Sequence, residues 1–322
     1  MAYLVRKLLH SLILLFGVSL LVFALLALAP GDFFSEMRLN PRISNTSIEQ
    51  MRVRQELDRP LPIRYWHWLR AVARGDWGRS LAYQEPVWPL IWSRAVNTLI
   101  LASTATVIAW ILALTLGIAA ASRPRGLLDH FLAALTSGLL AIPDILLSLL
   151  LLLFAVHTRL LPLGGMESLD QQSQSGAARV LDLARHLVLP VSALVLVGLP
   201  VLLRHVRASV GEALTSPAIK TARAAGVSRT RLLFRHALPL ASNPLISLLG
   251  LSIAALLSGS LLVEVILSWP GLGPLLLEAI FARDIYVVIG AVMLSTLFLI
   301  AGNYIADVLL LAVDPRTREV QP

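Results

Sequence analysis

Residues Ser11–Ala29, SLILLFGVSLLVFALLALA, contain no charged side chain. A helix that rises about 1.5 Å per residue needs about 20 apolar residues to cross roughly 30 Å of hydrocarbon. The stretch follows Arg6 and Lys7, as a signal peptide would, but it is long for the apolar part of a signal peptide. We therefore predict a retained membrane-spanning helix in this part of the chain.

The whole chain has the composition of a membrane protein. Of its 322 residues, 57% are hydrophobic and 14% are charged, and the mean hydropathy is +0.77. Average soluble domains are roughly 45–50% apolar and about 25% charged, and single soluble cores stop growing near about 250–300 residues. Cysteine is absent, which excludes disulfides, thiolate catalysis and cysteine-ligated metal. A lipid bilayer is therefore the expected environment.

Six stretches are long and apolar enough to span a bilayer. They are Ser11–Ala29, Asn97–Ala121, Phe131–Val156, His186–Leu203, Pro239–Val263 and Ile285–Val313. An even number of spans places both termini on the same side of the membrane. The sequence therefore predicts an all-α membrane protein with six transmembrane helices.

Positive charges in short loops predict the orientation, because loops rich in Lys and Arg stay in the cytoplasm. The basic loop, Arg204–Leu238, has seven Lys or Arg residues against the single acid Glu212. The loop Glu264–Asp284 has only Arg283 against three acids. We therefore expect the basic loop and both termini to be cytoplasmic. The net charge of +8 lies in such patches, which favours contact with membrane lipid and not with nucleic acid.

Residues 30–96 form a long loop that we expect outside the cell membrane, because loops of this length are translocated regardless of their charge. The loop contains Tyr65, Trp66, Trp68 and Trp77, and such aromatic residues are enriched at the membrane–water interface. The favoured interpretation is an amphipathic segment anchored among lipid headgroups. A docking site for a partner protein is the alternative.

The basic loop has the start and stop signals of a short helix. Ser216 is a good N-cap, Pro217 suits the first helical position, and Gly226 is typical of the residue after a helix. Ser228 can cap a second helix that leads to Pro239. A two-turn helix rich in alanine is marginal alone. It is therefore expected to dock in a groove of a partner protein, and the alternative is a loop that lies on the inner leaflet.

The run Thr221–Leu245, TARAAGVSRTRLLFRHALPLASNPL, resembles the cytoplasmic loop of ABC-importer permeases. That loop is written E-A-A, three residues, Gly, nine residues, I-x-L-P. Here nine residues separate Gly226 from His236-Ala237-Leu238-Pro239. Lys220 and Thr221 stand where Glu and the first Ala would be, and Ala222 takes the second Ala. These departures resemble the peptide-permease branch.

Four further motifs resemble the dipeptide/oligopeptide permease branch and extend the resemblance over essentially the whole chain. They are Ala29-Pro30-Gly31-Asp32, Gly75-Asp76-Trp77-Gly78-Arg79-Ser80-Leu81, Ser268-Trp269-Pro270-Gly271-Leu272-Gly273 and Asp314-Pro315-Arg316. The third motif also predicts a turn broken by Pro and Gly before the last span.

The resemblance implies an ABC type I importer-like permease of the bacterial inner membrane that forms half of a translocation pathway. Its partners would be a second permease subunit, two ABC ATPase subunits and an extracytoplasmic solute-binding protein. ATP and Mg would bind to the ATPase subunits, and this chain would bind no cofactor and catalyse no reaction. Consistent with that, the sequence has no G-x-x-x-x-G-K-[ST] motif. The solute would be a dipeptide, an oligopeptide, a nickel chelate or a peptide antibiotic.

The same resemblance implies a layout of four regions. Residues 1–29 form the N-terminal segment and first span, 30–96 the extracytoplasmic loop, 97–313 a five-helix core with the coupling loop 204–238, and 314–322 a cytoplasmic tail. Residues 217–225 would be the helix that couples the permease to an ATPase. The residues implied in coupling are Pro217, Lys220, Thr221, Ala222, Arg223, Ala225 and Gly226.

Asp144 is the one acid well inside a predicted span, which makes it a candidate for the translocation pathway. It follows Pro143, where the chain is expected to bend, so the alternative is a carboxyl group that satisfies freed backbone groups at the bend.

No histidine pair has metal-ligand spacing. A self-sufficient secondary transporter or channel would show internal repeats or paired midplane charges, and a membrane enzyme would show a cluster of catalytic groups. The sequence shows none of these.

Overall fold

A computed structural model of the protein describes residues 2–28, 31, 33–35, 45–54, 58–168 and 176–313. Every regular element in those ranges is helical. The Ala29–Asp32 motif apart from Gly31, the Asp314–Arg316 motif and the predicted tail 314–322 lie outside the described residues.

The described helices alternate between long apolar ones and short connecting ones. In chain order they are α1 (Ala2–Leu28), a 3-10 turn (Phe33–Ser35), α2 (Asn45–Arg54), α3 (Leu61–Ala73), α4 (Val87–Ser122), α5 (Leu127–Ala141), α6 (Asp144–Thr158), α7 (Gly176–Thr215), α8 (Pro217–Ala224), α9 (Arg229–Arg231), a π-helical turn (Leu232–Ala237), α10 (Leu238–Ile266), α11 (Leu272–Phe281) and α12 (Ile285–Val313).

Five of these helical segments are long and apolar enough to cross a membrane within the described chain, and the pair α5 and α6 makes a sixth if it counts as one bent span. The prediction of one span at Phe131–Val156 is therefore corrected to two helices bent by 101°. Ile142 is extended (φ −94°, ψ 123°) because the ring of Pro143 excludes the helical conformation from the preceding residue. The predicted span His186–Leu203 is the centre of α7, which has 40 residues.

The chain divides into two compact units, which are described separately. The first comprises residues 1–97 and 271–297, and the second comprises residues 98–270 and 298–322. In the second unit, α7 packs against α5, α6 and α10. Glycines allow α10 and α12 to approach each other closely. A Cβ on Gly302 would lie 2.6 Å from Cγ2 of Ile253, and one on Gly250 would lie 2.8 Å from Cβ of Ala306. Small residues at such contacts are typical of membrane helix pairs.

The first unit contains an aromatic cluster that corrects part of the predicted interfacial segment. Tyr65 and Trp68, spaced i, i+3 on α3, are buried against Phe23 of α1. The Tyr65 hydroxyl lies 2.8 Å from Oγ of Ser19. These two rings therefore hold α3 on α1 and do not face lipid. Trp66 lies on the other face of α3, is 50% exposed, and stacks with the Arg70 guanidinium.

The Gly75–Leu81 motif forms a turn that a buried carboxylate holds in place. Asp284, which is fully buried, accepts hydrogen bonds from Oγ of Ser80 (2.6 Å) and from the backbone N–H groups of Leu81 (2.7 Å) and Ala82 (3.0 Å). The Tyr83 hydroxyl donates a second hydrogen bond, to the carboxylate of Glu278. Burial, and then this hydrogen bond to a carboxylate, raises the pKa of Tyr83 to about 12.

We predict that Asp284→Ala destabilises the first unit by about 3 kcal/mol, because it leaves a hydroxyl and two backbone N–H groups buried without an acceptor. Trypsin should then cleave the detergent-solubilised protein after Arg79 faster than it cleaves the parent protein. Asp76→Ala is the matched control, since it removes an exposed carboxylate that accepts from the nearby N–H of Gly78. Equal cleavage rates for the two variants would contradict the anchoring role of Asp284.

Candidate functional site

The helix predicted in the basic loop is α8, and its boundaries agree with its sequence signals. Ser216 is the N-cap, and its Oγ accepts from the N–H of Ile219 at 3.5 Å. Pro217 occupies the first turn, where its missing N–H costs nothing. The helix ends at Ala224, one residue before the predicted end, and Ala225 is the C-cap.

Gly226 ends α8 in the left-handed conformation that its sequence position predicted. Its φ is +82°, its N–H donates to the Arg223 carbonyl (3.0 Å), and the N–H of Val227 donates to the Ala222 carbonyl (3.2 Å). This pair of bonds is the Schellman motif. A Cβ at Gly226 would meet no atom within 4 Å. The requirement for glycine therefore comes from the backbone conformation and not from crowding.

One face of α8 is buried and the other is exposed. Ile219 is 1% exposed and belongs to the hydrophobic core of the second unit, and Ala222 packs against that core. The other residues implied in coupling are exposed: Pro217, Lys220, Thr221, Arg223, Ala225 and Gly226. Ile219 anchors one face of α8 to its own chain, so part of the stabilisation that the sequence led us to expect from docking comes from the permease core, and the docking of the exposed face on a partner stays a prediction.

Arginine side chains of the basic loop connect the loop to neighbouring helices. Arg207 on α7 forms a bidentate pair with Asp129 of α5, with Nη2 2.7 Å from Oδ2. Nη2 of Arg204 donates to Oγ of Ser137 at 2.8 Å, and Arg229 donates to the carbonyl of Ser122 at the end of α4. The first two contacts join α7 to α5, and the third joins α4 to the segment that follows α8.

A π-helical turn joins the basic loop to α10. Ser228 occupies the N-cap position of α9 with an extended backbone, but its side chain makes no capping hydrogen bond to this helix, which has only three residues. The π-helical turn Leu232–Ala237 follows and continues directly into α10. Pro239 cannot donate to the helix and its ring crowds the preceding turn. A widened turn just before Pro239 lets the helix continue through it.

Two cavities lie in the second unit. The first has a volume of about 770 Å³ and lies beside α8, with Arg207, Glu212, Arg223 and Arg229 among its lining residues. The second, the α7–α10 groove, has a volume of about 470 Å³. It is lined by Asp144, Leu194, Val197, Gly198, Val201, Leu202, His205, Leu248, Leu251, Ser252, Ala255, Leu256 and Gly259. Asp144 and His205 therefore both line this groove.

A bundle of apolar helices that presents a short basic helix from its own core is the architecture of the membrane subunit of a multi-component transporter. The family model described as "binding-protein-dependent transport system inner membrane component" matches residues 113–319 of the chain. The model of the N-terminal part of such components matches residues 1–102. The chain belongs to this family, the membrane permease subunits of ABC importers, and is a multi-pass protein of the bacterial inner membrane.

Characterised relatives are similar along almost their whole length. The oligopeptide transport system permease protein AppB of Bacillus subtilis is 34% identical over 317 residues, with 98% of each chain covered. The dipeptide transport system permease protein DppB of Escherichia coli is 33% identical over 319 residues, with 94% of each chain covered. The glutathione transport system permease protein GsiC of Escherichia coli is 33% identical, with 98% of each chain covered.

A solved structure shares the fold. A chain of the MetNI methionine ABC transporter in an inward-facing conformation superposes with a TM-score of 0.55 at 18% sequence identity. The match covers 70% of this chain and 96% of the other chain. It confirms the prediction of an ABC type I importer-like permease fold.

We predict that Asp129→Ala destabilises the protein by about 2 kcal/mol, because the Arg207 guanidinium loses the carboxylate that it binds. The cost falls below that of a fully buried pair since the Arg207 side chain is 42% exposed. Thermal unfolding of the purified protein in detergent measures this effect. Glu212→Ala is the control, because it removes an exposed acid from the same end of the bundle. A double variant with Arg207→Ala should lose less than the sum of the two single losses.

Proposed function

We propose that this chain is the permease subunit of an importer for di- or oligopeptides. The observation that carries this proposal is similarity over almost the full length to permeases named for oligopeptides, dipeptides and glutathione, itself a small peptide. The partners are a second permease subunit, two ABC ATPase subunits that bind ATP and Mg, and an extracytoplasmic solute-binding protein. Both termini and the basic loop lie in the cytoplasm, and residues 30–96 lie on the opposite side.

In this proposal α8 is the coupling helix. Its exposed face, with Lys220, Thr221 and Arg223, contacts an ATPase subunit, and its buried Ile219 connects that contact to the permease core. Small residues such as Ala225 and Gly226 allow a close approach at the end of the helix. The side chain of Ala222 supports the helix from the core side and does not itself contact the ATPase.

Movement of α8 is transmitted to the membrane-spanning helices because an ion pair and a hydrogen bond connect the basic loop to them. The Arg207–Asp129 pair connects α7 with α5, and the Arg229–Ser122 bond connects the segment after α8 with α4. When the ATPases close on ATP, they displace α8 together with these helices, and the pathway alternates between inward-open and outward-open states. This chain contributes binding and movement, and the ATPase subunits contribute the free energy.

We predict that Gly226→Val leaves membrane insertion intact and uncouples ATP hydrolysis from uptake. A β-branched residue with a φ of +82° adds about 1–2 kcal/mol of backbone strain at the C-terminal end of α8. This strain changes the position of the exposed face of the helix. The measurement is ATP hydrolysis and peptide uptake in proteoliposomes that contain the complete transporter, with and without peptide-loaded binding protein. The expected result is basal hydrolysis with about tenfold weaker stimulation.

Gly138→Val is the matched control for this experiment. Gly138 lies within α5, and a Cβ there would meet no atom within 4 Å. This control should retain stimulated uptake. Normal uptake by Gly226→Val would reject the coupling role of α8. Stimulation by a binding protein loaded with a free amino acid, and not by one loaded with peptide, would reject the substrate class.

A further inference from the structure

The α7–α10 groove contains a carboxylate in apolar surroundings. Asp144 is exposed at the start of α6, and the groove beside it is lined mainly by aliphatic side chains and glycines. The bend at Pro143 places Asp144 in the first turn of a new helix. The N-cap of α6 is Pro143, whose ring offers no acceptor to the free N–H groups at the start of the helix. An acid in the first turn interacts favourably with the helix dipole, and the exposure of Asp144 beside the groove leaves its carboxylate accessible to a ligand.

The exposure of Asp144 requires a polar environment. Burying a charged carboxylate among lipid tails is costly, so such residues face protein or a water-filled cavity. The volume of the groove, about 470 Å³, lies within the roughly 300–1,000 Å³ typical of small-ligand sites. The groove is therefore suited to a small solute that crosses in water, with apolar walls and one fixed negative charge.

The second ionisable residue of the groove supports a cationic ligand. Nδ1 of His205 lies 2.8 Å from the carbonyl oxygen of Val201. Since a carbonyl only accepts hydrogen bonds, Nδ1 is the donor in this contact, and Nε2 takes no part in it. Asp144 offers two carboxylate oxygens as acceptors, and Nε2 of His205 is an acceptor when the ring is neutral. Among the described residues, no three His, Cys, Asp or Glu side chains cluster as a metal site requires. An organic ammonium group suits this pair better than a metal ion does.

We propose that the α7–α10 groove holds the peptide in transit by its protonated α-amino group, with the Asp144 carboxylate as counter-charge and Nε2 of His205 as a second acceptor. The proposal rests on the peptide-import function above and adds to it a recognition site within the permease. The α-amino group of a peptide has a pKa near about 8 and is mostly protonated at neutral pH. Aliphatic walls accept varied side chains, which allows one site to serve many sequences.

The absence of cysteine makes a direct test possible. Ala255→Cys places a single thiol on an exposed, groove-lining position of α10. The complete transporter in detergent, without binding protein or ATP, is treated with a membrane-impermeant maleimide, and labelling of this chain is read after electrophoresis. The probes are the dipeptide Ala-Phe and its N-acetylated form. Leaving out the binding protein ensures that only recognition by the transporter is measured.

Ala-Phe should slow the labelling of Ala255→Cys, and N-acetyl-Ala-Phe should not. Adding Asp144→Asn should raise the concentration of Ala-Phe needed for half-protection about tenfold, since a charge-assisted bond is lost. Asp144→Glu, which keeps the carboxylate, should restore much of the protection. Asp307→Asn on α12, which does not line the groove, is the control and should change nothing.

Equal protection by the two peptides, or protection unaffected by Asp144→Asn, would overturn the proposed site. Either result would leave the import function standing if peptide-stimulated uptake is observed in proteoliposomes. A thiol at position 255 that never reacts with the impermeant reagent would show that the groove is closed to water, and this would also overturn the site. Failure of the import function is separate, because it appears as absence of peptide-stimulated hydrolysis.

Discussion

A polypeptide in hydrocarbon must satisfy its own backbone N–H and C=O groups, and the rest of this structure depends on that constraint. It explains why the segments of the described ranges that are apolar enough to cross a membrane are helices. The same constraint draws attention to the few places where helices are broken or widened. Pro143, Gly226 and the π-helical turn Leu232–Ala237 interrupt regular hydrogen bonding, and the features proposed to carry function lie beside these interruptions.

In the basic loop, one small buried contact fixes the charged helix α8 on the helices of its own chain. Without Ile219 in the core, α8 would be a marginal helix of eight residues. With Ile219 buried, the exposed face of α8 has a fixed position relative to α7. The Arg207–Asp129 pair adds a directional contact at the same end. A partner that pushes on α8 therefore acts on the helices and not on a loose loop.

Two acids of the chain, Asp284 and Asp144, differ in their burial and in their hydrogen-bond partners. In the first unit, the carboxylate of Asp284 is completely enclosed and binds three donors of the Ser80–Ala82 turn, so it stabilises a local fold. In the second unit, the carboxylate of Asp144 is exposed in a groove and is available to a solute. Burial and bonding partners, more than residue type, separate a structural acid from a candidate binding acid.

The sequence by itself determined the membrane class, the approximate positions of most spans, the family resemblance, and the start of α8 with its glycine stop. These follow from local patterns: apolar length, Ser216-Pro217 at a helix start, and Gly226 where a positive φ is needed. Only the tertiary structure decided that Tyr65 and Trp68 pack on α1, that Arg207 pairs with Asp129, and that His205 shares a groove with Asp144. Each of these contacts joins separate elements of the chain, and local spacing carries no information about which helix faces will meet.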